Sequence, residues 1–384
     1  MFTAAPGAQP RSYAQSPGTP PGHADSRLIG VDTARGLAVL GMFIAHLGMG
    51  AGVSENWSDP SQWFFIADGR SSALFALLAG LGVAFMTKGA YATNHPAWWS
   101  QQRIRLLKRA AILLPLGWLL TLLGTPIAVI LGSYAMLFVL VLPFIKLRPA
   151  ALLGCAGATI IVMPTLHVLS TSYLLGGADP MYYSDSYGFT AMIPVLGDLW
   201  SGYYPAMSWL SYILVGLAVG RLPLRRIGVQ LALTGSGVLV AVAGYLPGLM
   251  LQRVTSGLLQ SLVTIQPHSD TSFEIVGNIG CGLVILGLCL LVTSWAPVRV
   301  LLTPISAVGS MSLTIYCAQI LVVAVAGEDI VWAPVSQWPL IWISVGSMLF
   351  ATVWRLFLRQ GPLEALLAVL TRSRPSQPRT EPIG

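Results

Sequence analysis

Long apolar stretches recur along this chain, and each is long enough to cross a lipid bilayer as a helix. A bilayer core is about 30 Å thick, and a helix needs about 20 predominantly apolar residues to span it. Ten such stretches lie between charged or Pro/Gly-rich breaks: roughly 29–50, 66–87, 104–123, 126–146, 150–170, 205–221, 228–250, 273–295, 301–326 and 336–357. Only 9% of the residues are charged, far below the content of soluble domains. The sequence therefore predicts an all-α, polytopic integral membrane protein with about ten transmembrane helices.

The two ends of the chain have a different composition. Residues 1–26 and 371–384 are rich in Pro, Ser and small residues and have no apolar core, which is typical of disordered tails. We expect one transmembrane domain over residues 27–370, flanked by these tails.

The basic residues predict the orientation of the chain. Cytoplasmic loops of membrane proteins carry an excess of Lys and Arg. If ten spans alternate, 18 of the 21 basic residues fall on the side of the N-terminus, so both termini are predicted to be cytoplasmic. The remaining basic residues are Arg35, Arg70 and Arg253, and the first two lie in spans, each close to an acid.

The net charge of +7 does not indicate nucleic-acid binding, because almost all of it is topological charge beside the membrane. The densest basic cluster lies before the third span and includes Arg103, Arg105 and Arg109. It either orients the helix only or also attracts coenzyme phosphates or anionic lipid. The four cysteines lie in apolar stretches without zinc or haem spacing, so neither a metal site nor a disulfide is predicted.

The first span places an arginine and a histidine on one helical face. Arg35 and His46 are eleven residues apart, which is three turns plus about 20°, or about 16 Å along the axis. Arg35 would lie toward the cytoplasm and His46 toward the outer side. Ionisable groups in a bilayer usually face the bundle interior or a wet cavity, and histidine can exchange a proton near neutral pH. The alternative is a packed core histidine and an arginine that reaches the interface.

The second span begins with Asp68 and Arg70 at its outer end. Asp68 is expected at a depth similar to that of His46, where a carboxylate could orient the imidazole; alternatively it pairs only with Arg70. The following Ala76, Gly80 and Ala84 form a small-residue face that favours close approach of a partner helix.

Two further polar or aromatic groups lie in later spans. Tyr316 and Gln319 form a polar stripe with Ser312, suited either to hydrogen bonding between helices or to ligand contact. Tyr204 and Trp209 lie at the outer end of the sixth span, either as an interfacial belt or as surfaces for stacking on a sugar. The residues predicted to line the acceptor site or pocket are Arg70, Tyr204, Trp209, Tyr316 and Gln319. His167 is a weaker candidate base, and His95 and His268 are expected to be solvated.

Four segments together resemble a known superfamily. "RLIGVDTARGLAVLGMFIAH" is similar to the first helix of transmembrane acyltransferases, and the spacing of Arg35 and His46 resembles the arginine and histidine motif of membrane O-acyltransferases of bacterial surface glycans. "ADGRSSALFALLAGLGVAF", "GSMSLTIYCAQ" and "RLFLRQGPLEAL" resemble later signatures of the YeiB-like and heparan-α-glucosaminide N-acetyltransferase-like bacterial proteins. The likeness extends from about residue 27 to residue 370.

The sequence also departs from these relatives. Many of them have asparagine at the position of His46, and the heparan enzyme's catalytic histidine lies in an outer loop that here contains none. Val129 stands where relatives often have an acid before the "ILxxYA" stretch of the fourth helix. Ser310 and Ile315 replace a common arginine and asparagine.

The resemblance implies an acyltransferase in the bacterial cytoplasmic membrane. It would pass an acyl group, acetyl above all, from cytoplasmic acyl-CoA (acetyl-CoA) to a hydroxyl or amine of an outward-facing glycan or lipid-linked sugar. His46 would be the general base oriented by Asp68, and Arg35, Arg103 and Arg105 would bind the donor. Acyl-CoA is the expected co-substrate, and no permanently bound cofactor is expected. The expected partners are membrane lipids and the acceptor. A second copy of the chain in a homodimer is an open alternative. The rival functions are a transporter or flippase for a sugar or lipid intermediate, and a structural subunit of an envelope complex.

Overall fold

The computed structural model describes residues 27–48, 60–174, 194–332 and 336–372, and within these ranges every regular element is helical. The predicted tail 1–26 and residues 373–384 lie outside the described residues. The main helices are α1 (Ile29–Leu47), α2 (Arg70–Thr93), α3 (Pro96–Thr121), α4 (Leu131–Leu140), α5 (Pro149–Leu174), α6 (Ala206–Val219), α7 (Ile227–Leu251), α8 (Ser272–Val292), α9 (Thr303–Ser310), α10 (Ser312–Ala326), α11 (Trp338–Phe357) and α12 (Pro362–Leu370).

Six segments of the described chain are long and apolar enough to cross a membrane. They contain α1, α2, α5, α7, α8 and α11, and the bent pair of α9 and α10 is a seventh if it is counted as one span. Helices α4 and α6 are apolar but shorter, and α3 carries the basic cluster. The prediction of an all-helical membrane protein is confirmed, and the number of ten spans stays a prediction.

Small residues let the central helices pack backbone to backbone. A Cβ atom added at Gly80 of α2 would collide with the backbone carbonyl of Ile213 in α6, and one at Gly216 of α6 would collide with the carbonyl of Leu77 in α2. In lipid, helix association depends on such close packing because apolar side chains gain little by leaving an apolar solvent. The small-residue face predicted on α2 is confirmed as the contact with α6.

Helices α9 and α10 form a broken pair bent by 86° at Met311, whose backbone is not helical (φ −131°, ψ 41°). Charged side chains occupy both helix ends at the break. Arg27 donates to the carbonyl of Ser310 over 3.4 Å, and Glu364 of α12 accepts from the backbone N–H groups of Leu313 and Thr314 over 2.7 and 3.1 Å. The sequence predicted one continuous span over residues 301–326. It did not reveal the break, because the groups that stabilise the break are distant in the chain.

Candidate functional site

Helix α1 carries both the predicted cation and the predicted base. The buried carboxylate of Asp32 lies between two arginines, 2.5 Å from Nε of Arg27 and 3.5 Å from Nη1 of Arg35. The guanidinium of Arg35 also approaches α2, where a Cβ at Gly82 would lie 3.6 Å from its Nη2. The side chain of Arg35 is 24% exposed. It therefore sits within the bundle with part of its surface accessible.

The C-terminal end of α1 is joined to α10 through His46. The side-chain nitrogen Nε2 of Gln319 lies 3.1 Å from Nδ1 of His46. Tyr316, one turn earlier on α10, accepts a hydrogen bond from the backbone N–H of Ile130 over 3.1 Å. Two of the three residues of the predicted polar stripe, Tyr316 and Gln319, thus hydrogen-bond to groups outside α10. Because an imidazole nitrogen is the contact atom, Gln319 also governs the tautomer of His46.

Asp68 is paired with a histidine of a distant loop. Its Oδ1 lies 3.3 Å from Nε2 of His268, and the two side chains are 21% and 8% exposed, respectively. Arg70 instead donates to the carbonyl of Phe65 and lies over the ring of Tyr245, 5.0 Å from its centroid. The alternative that Asp68 pairs only with Arg70 is therefore wrong for the described structure. The expectation that His268 is solvated is also wrong, whereas His95 is exposed as expected.

The loop that carries His268 is organised by a buried carboxylate. Glu274, in the first turn of α8, accepts from the backbone N–H groups of His268 and Asp270 over 2.9 and 2.7 Å. Thr271 accepts in return from the N–H of Glu274 over 3.1 Å. This arrangement is related to a capping box, whose sequence signature is Ser/Thr followed three residues later by Glu/Gln. The segment "TSFE" carries that signature and could have directed attention to this loop.

The aromatic residues of the sixth span face the protein interior. Tyr204 and Trp209 are 6% and 2% exposed, so an interfacial belt does not describe them. Trp209 donates from its indole nitrogen to Asp270 over 2.6 Å. Burial raises the pKa of Asp270 well above its ordinary value. The ring of Tyr204 packs edge-on against His268, with centroids 5.4 Å apart, and so borders the Asp68 and His268 pair.

A second part of the site is a group of arginines from two helices, α1 and α3. Arg105 and Arg109 are one turn apart on α3 and half-buried, and Arg109 interacts electrostatically with both Arg105 and Arg35. The Nε atoms of Arg105 and Arg109 are buried and have no hydrogen-bond partner among the described residues. Arg103 is exposed on another face of α3. The structure thus groups Arg35 with Arg105 and Arg109, and it places Arg103 apart.

Electrostatic interactions of buried tyrosines link the arginine group to Asp68. Tyr134 of α4 interacts electrostatically with Arg35 and with Tyr316, and Tyr204 interacts with Tyr316 and Asp68. The hydroxyl of Tyr134 is buried and lacks a partner within the described ranges. We call this series of electrostatically interacting side chains the polar line; its members are Arg105, Arg109, Arg35, Tyr134, Tyr316, Tyr204, Asp68 and His46. Sequence reasoning missed Tyr134, and it did not separate Arg109 from Arg103 within the basic cluster, because the sequence does not reveal which helical face is turned inward.

An acid does reach the fourth helix, although the chain has Val129 where relatives often carry one. Asp198, from the turn before α6, accepts from the hydroxyl of Ser133 over 3.4 Å and from the indole N–H of Trp118 over 3.1 Å. Burial raises the pKa of Asp198 above its ordinary value. Ser133 belongs to the "ILGSYA" stretch, so a carboxyl group contacts that stretch from a different part of the chain.

Comparison with protein families places this site in a known context. The family model described as heparan-alpha-glucosaminide N-acetyltransferase, catalytic, matches residues 27–244, which is more than half of the chain. The chain belongs to this family. A second model, for a protein family of unknown function (DUF418), matches residues 230–374. Together the two matches confirm the resemblance to the heparan-α-glucosaminide N-acetyltransferase-like and YeiB-like proteins. No curated protein matches the sequence.

Membership of the heparan-α-glucosaminide N-acetyltransferase family supports a membrane acetyltransferase in general terms. The match includes α1, α2 and α3, and hence His46, Asp68 and the arginine group. His268, Tyr316 and Gln319 lie in the part matched by the second family. Within the described ranges, no three His, Cys, Asp or Glu side chains gather as metal ligands would.

Proposed function

We propose that this protein transfers an acetyl group from cytoplasmic acetyl-CoA to an amine or hydroxyl of an outward-facing glycan or lipid-linked sugar. The observation that carries the proposal is the polar line through the bundle, from Arg105, Arg109 and Arg35 to His46 and Asp68. Its inner end is cationic and suits an anionic donor, and its outer end holds groups that can accept and stabilise a proton. Acetyl transfer along this line would not require the acceptor to cross the membrane.

The orientation follows from the charge distribution. In our proposal α1 to α8, the bent pair and α11 make ten crossings, with α3, α4 and α6 as the shorter or more polar ones. Both termini are then cytoplasmic, in a bacterial cytoplasmic membrane. The arginines of α3 face the cytoplasm, and the loops with His268 and Asp68 face outward.

The arginine group is proposed as the donor site. Buried N–H groups without acceptors are rare in folded proteins and call for an explanation. The Nε groups of Arg105 and Arg109 would be satisfied by the phosphates of the coenzyme, which form strong charge-assisted bonds with guanidinium. Arg35, deeper in the bundle, would contact the anionic or carbonyl part of the donor nearest the thioester. Arg103, exposed elsewhere on α3, serves as a topological charge.

His46 is proposed as the general base. The acceptor's nitrogen or oxygen attacks the thioester carbonyl, its proton passes to Nε2 of His46, and the carbon–sulfur bond breaks to release the coenzyme thiolate. A positioned base of this kind typically contributes about 10²- to 10⁴-fold to the rate. The carboxylate of Asp68, close enough to interact electrostatically with His46, would stabilise the imidazolium. Tyr204 and Trp209 border this end as the acceptor's surroundings.

A transporter or flippase is the second candidate, and the broken pair α9 and α10 is the observation that favours it. Broken helices often bind substrates or ions at their free ends. Here Arg27 occupies one end and Glu364 the other, so protein side chains already satisfy these groups. This occupancy supports the acetyltransferase over the transporter.

The proposal is tested with purified protein in vesicles, acetyl-CoA as donor and a glucosamine-terminated glycan as acceptor. Release of free thiol and acetylation of the glycan are measured for wild type, His46→Ala and His46→Asn. We expect activity in wild type and its loss, by about 10²-fold or more, in both variants. No turnover by wild type, together with movement of a labelled lipid-linked sugar across the vesicle, would instead identify a flippase. Full activity of His46→Asn would move the base elsewhere.

A further inference from the structure

We propose that His268 is a positioning residue of the acceptor site, which holds the carboxylate of Asp68 in place so that Asp68 can stabilise the imidazolium of His46. This inference rests on the proposed function for its consequences in catalysis. It concerns a residue for which the sequence predicted only solvent contact. It also changes the role of Asp68, which interacts with two histidines instead of orienting one.

The contact between His268 and Asp68 determines the tautomer of His268. An ionised carboxylate can only accept hydrogen bonds, so the nitrogen 3.3 Å from Oδ1, Nε2, carries the hydrogen. In the neutral ring the other nitrogen, Nδ1, carries a lone pair, and this atom is buried without a hydrogen-bond partner among the described residues. An imidazole with one nitrogen left unsatisfied is costly to bury. The hydrogen bond from Nε2 to Asp68 is the one polar contact of this ring among the described residues, so it is the contact that orients the ring toward the carboxylate.

The backbone around His268 is held in an uncommon conformation. His268 and Asp270 have φ of +61° and +53°, in the left-handed region that non-glycine residues seldom adopt. Such conformations persist where surrounding contacts over-determine them, and they concentrate at functional sites. Glu274 supplies those contacts through the backbone N–H groups of both residues. The loop is therefore built to present His268 in one position.

Rings fix the plane of the His268 imidazole. The ring of Tyr203 lies 4.1 Å from it, centroid to centroid, at an interplanar angle of 36°, and Tyr204 packs against it edge-on. With its backbone held by Glu274 and its ring by two tyrosines, His268 has little freedom to leave Asp68. The Nε2–H donor is thus preorganised toward the carboxylate.

Asp68 interacts electrostatically with both His46 and His268. In acetyl transfer the acceptor's proton goes to His46, and positive charge appears where little water is available to solvate it. A fixed carboxylate stabilises that charge without reorganisation during the reaction. His268 neither gains nor loses a proton in this step; it acts only through Asp68.

Two substitutions separate the hydrogen bond from the shape of the ring. His268→Phe keeps an aromatic ring against Tyr203 and removes the donor, whereas His268→Gln keeps an N–H near the position of Nε2. A hydrogen bond to a charged group contributes enough that its loss lowers kcat by about 10- to 100-fold. We therefore expect this fall in His268→Phe with an unchanged KM for acetyl-CoA, and substantial rescue in His268→Gln. In an Asp68→Asn background, His268→Phe should have little further effect, and the exposed control His95→Gln should match wild type.

A measurement independent of turnover tests the same bond. Nitrogen-15 NMR of histidine-labelled protein in detergent should show His268 as the Nε2–H tautomer, assigned by the signal lost in His268→Gln, and its resonances should shift in Asp68→Asn. An Nδ1–H tautomer, or resonances insensitive to Asp68→Asn, would overturn the inference even if acetyl transfer is absent. Active wild type with an equally active His268→Phe, or with no rescue by Gln, would overturn it while leaving the proposed function intact. Inactive wild type with the expected NMR result would refute the acetyltransferase and keep the Asp68 and His268 pair.

Discussion

Gln319 is predicted to decide which nitrogen of His46 is available as a base. Its amide nitrogen lies 3.1 Å from Nδ1 of His46, and its Oε1 is buried without a partner in the described part of the chain. Rotation of the amide by 180° exchanges oxygen and nitrogen without changing its shape. When the nitrogen donates to Nδ1, Nε2 carries the hydrogen and cannot accept a proton. When Oε1 accepts from Nδ1–H, Nε2 is free, so this second orientation is the active one.

The size of the effect follows from this single contact. A neutral hydrogen bond contributes about 0.5–1.5 kcal/mol, which corresponds to a factor of about 2 to 12 in the tautomer equilibrium. Gln319→Met keeps a similar volume and removes the bond, so kcat should fall by about that factor. The fall should stay well below the 10²- to 10⁴-fold or so that accompanies loss of the base itself.

Gln319→Glu provides the matched comparison, because a carboxylate accepts from Nδ1–H and cannot donate in its ionised form. Its kcat should equal or exceed that of wild type. Initial rates of thiol release at saturating acetyl-CoA and acceptor give kcat for both variants, and size-exclusion profiles check folding. Wild-type kcat in Gln319→Met, or a loss in Gln319→Glu as large as that in His46→Ala, would refute the role assigned to the amide.

Three further predictions concern the donor site, the orientation and the pH dependence. Arg109→Gln should raise the KM for acetyl-CoA about 10-fold or more, because charge-assisted bonds to the donor are lost. Arg103→Gln, on the exposed face of α3, should leave this KM unchanged. Equal effects in the two variants would contradict the proposed donor site. In a variant without the four native cysteines, an impermeant thiol reagent added outside intact cells should label a cysteine at Asp185 and not one at Lys88, and the reverse pattern would contradict the orientation. Burial raises the pKa of Asp270, so its contribution to stability is fully present below the unfolded-state pKa and is lost as pH rises through the folded-state pKa. The unfolding temperature of wild type should therefore fall with rising pH more steeply than that of Asp270→Asn, and parallel curves would show that Asp270 does not titrate on unfolding.

The sequence by itself determined the class of the protein and the contents of its first helix. Apolar stretches of spanning length are legible in one dimension because the bilayer sets their length. The shared face of Arg35 and His46 follows from helical geometry alone, and both residues lie in the single helix Ile29–Leu47. The small-residue face around Gly80 likewise predicted a close helix contact, since spacing by four residues is a local property.

Only the tertiary structure decided which polar groups meet. His268 is 200 positions from Asp68 in the chain, and no local pattern relates a loop histidine to an acid at the start of another helix. In a membrane protein, lipid-facing and buried helix faces are both apolar, so hydropathy does not reveal that Arg109 turns inward while Arg103 turns outward. The sequence also did not reveal the break between α9 and α10 at Met311. It is stabilised by Arg27 and Glu364, and contacts between residues so far apart exist only once the helices have packed.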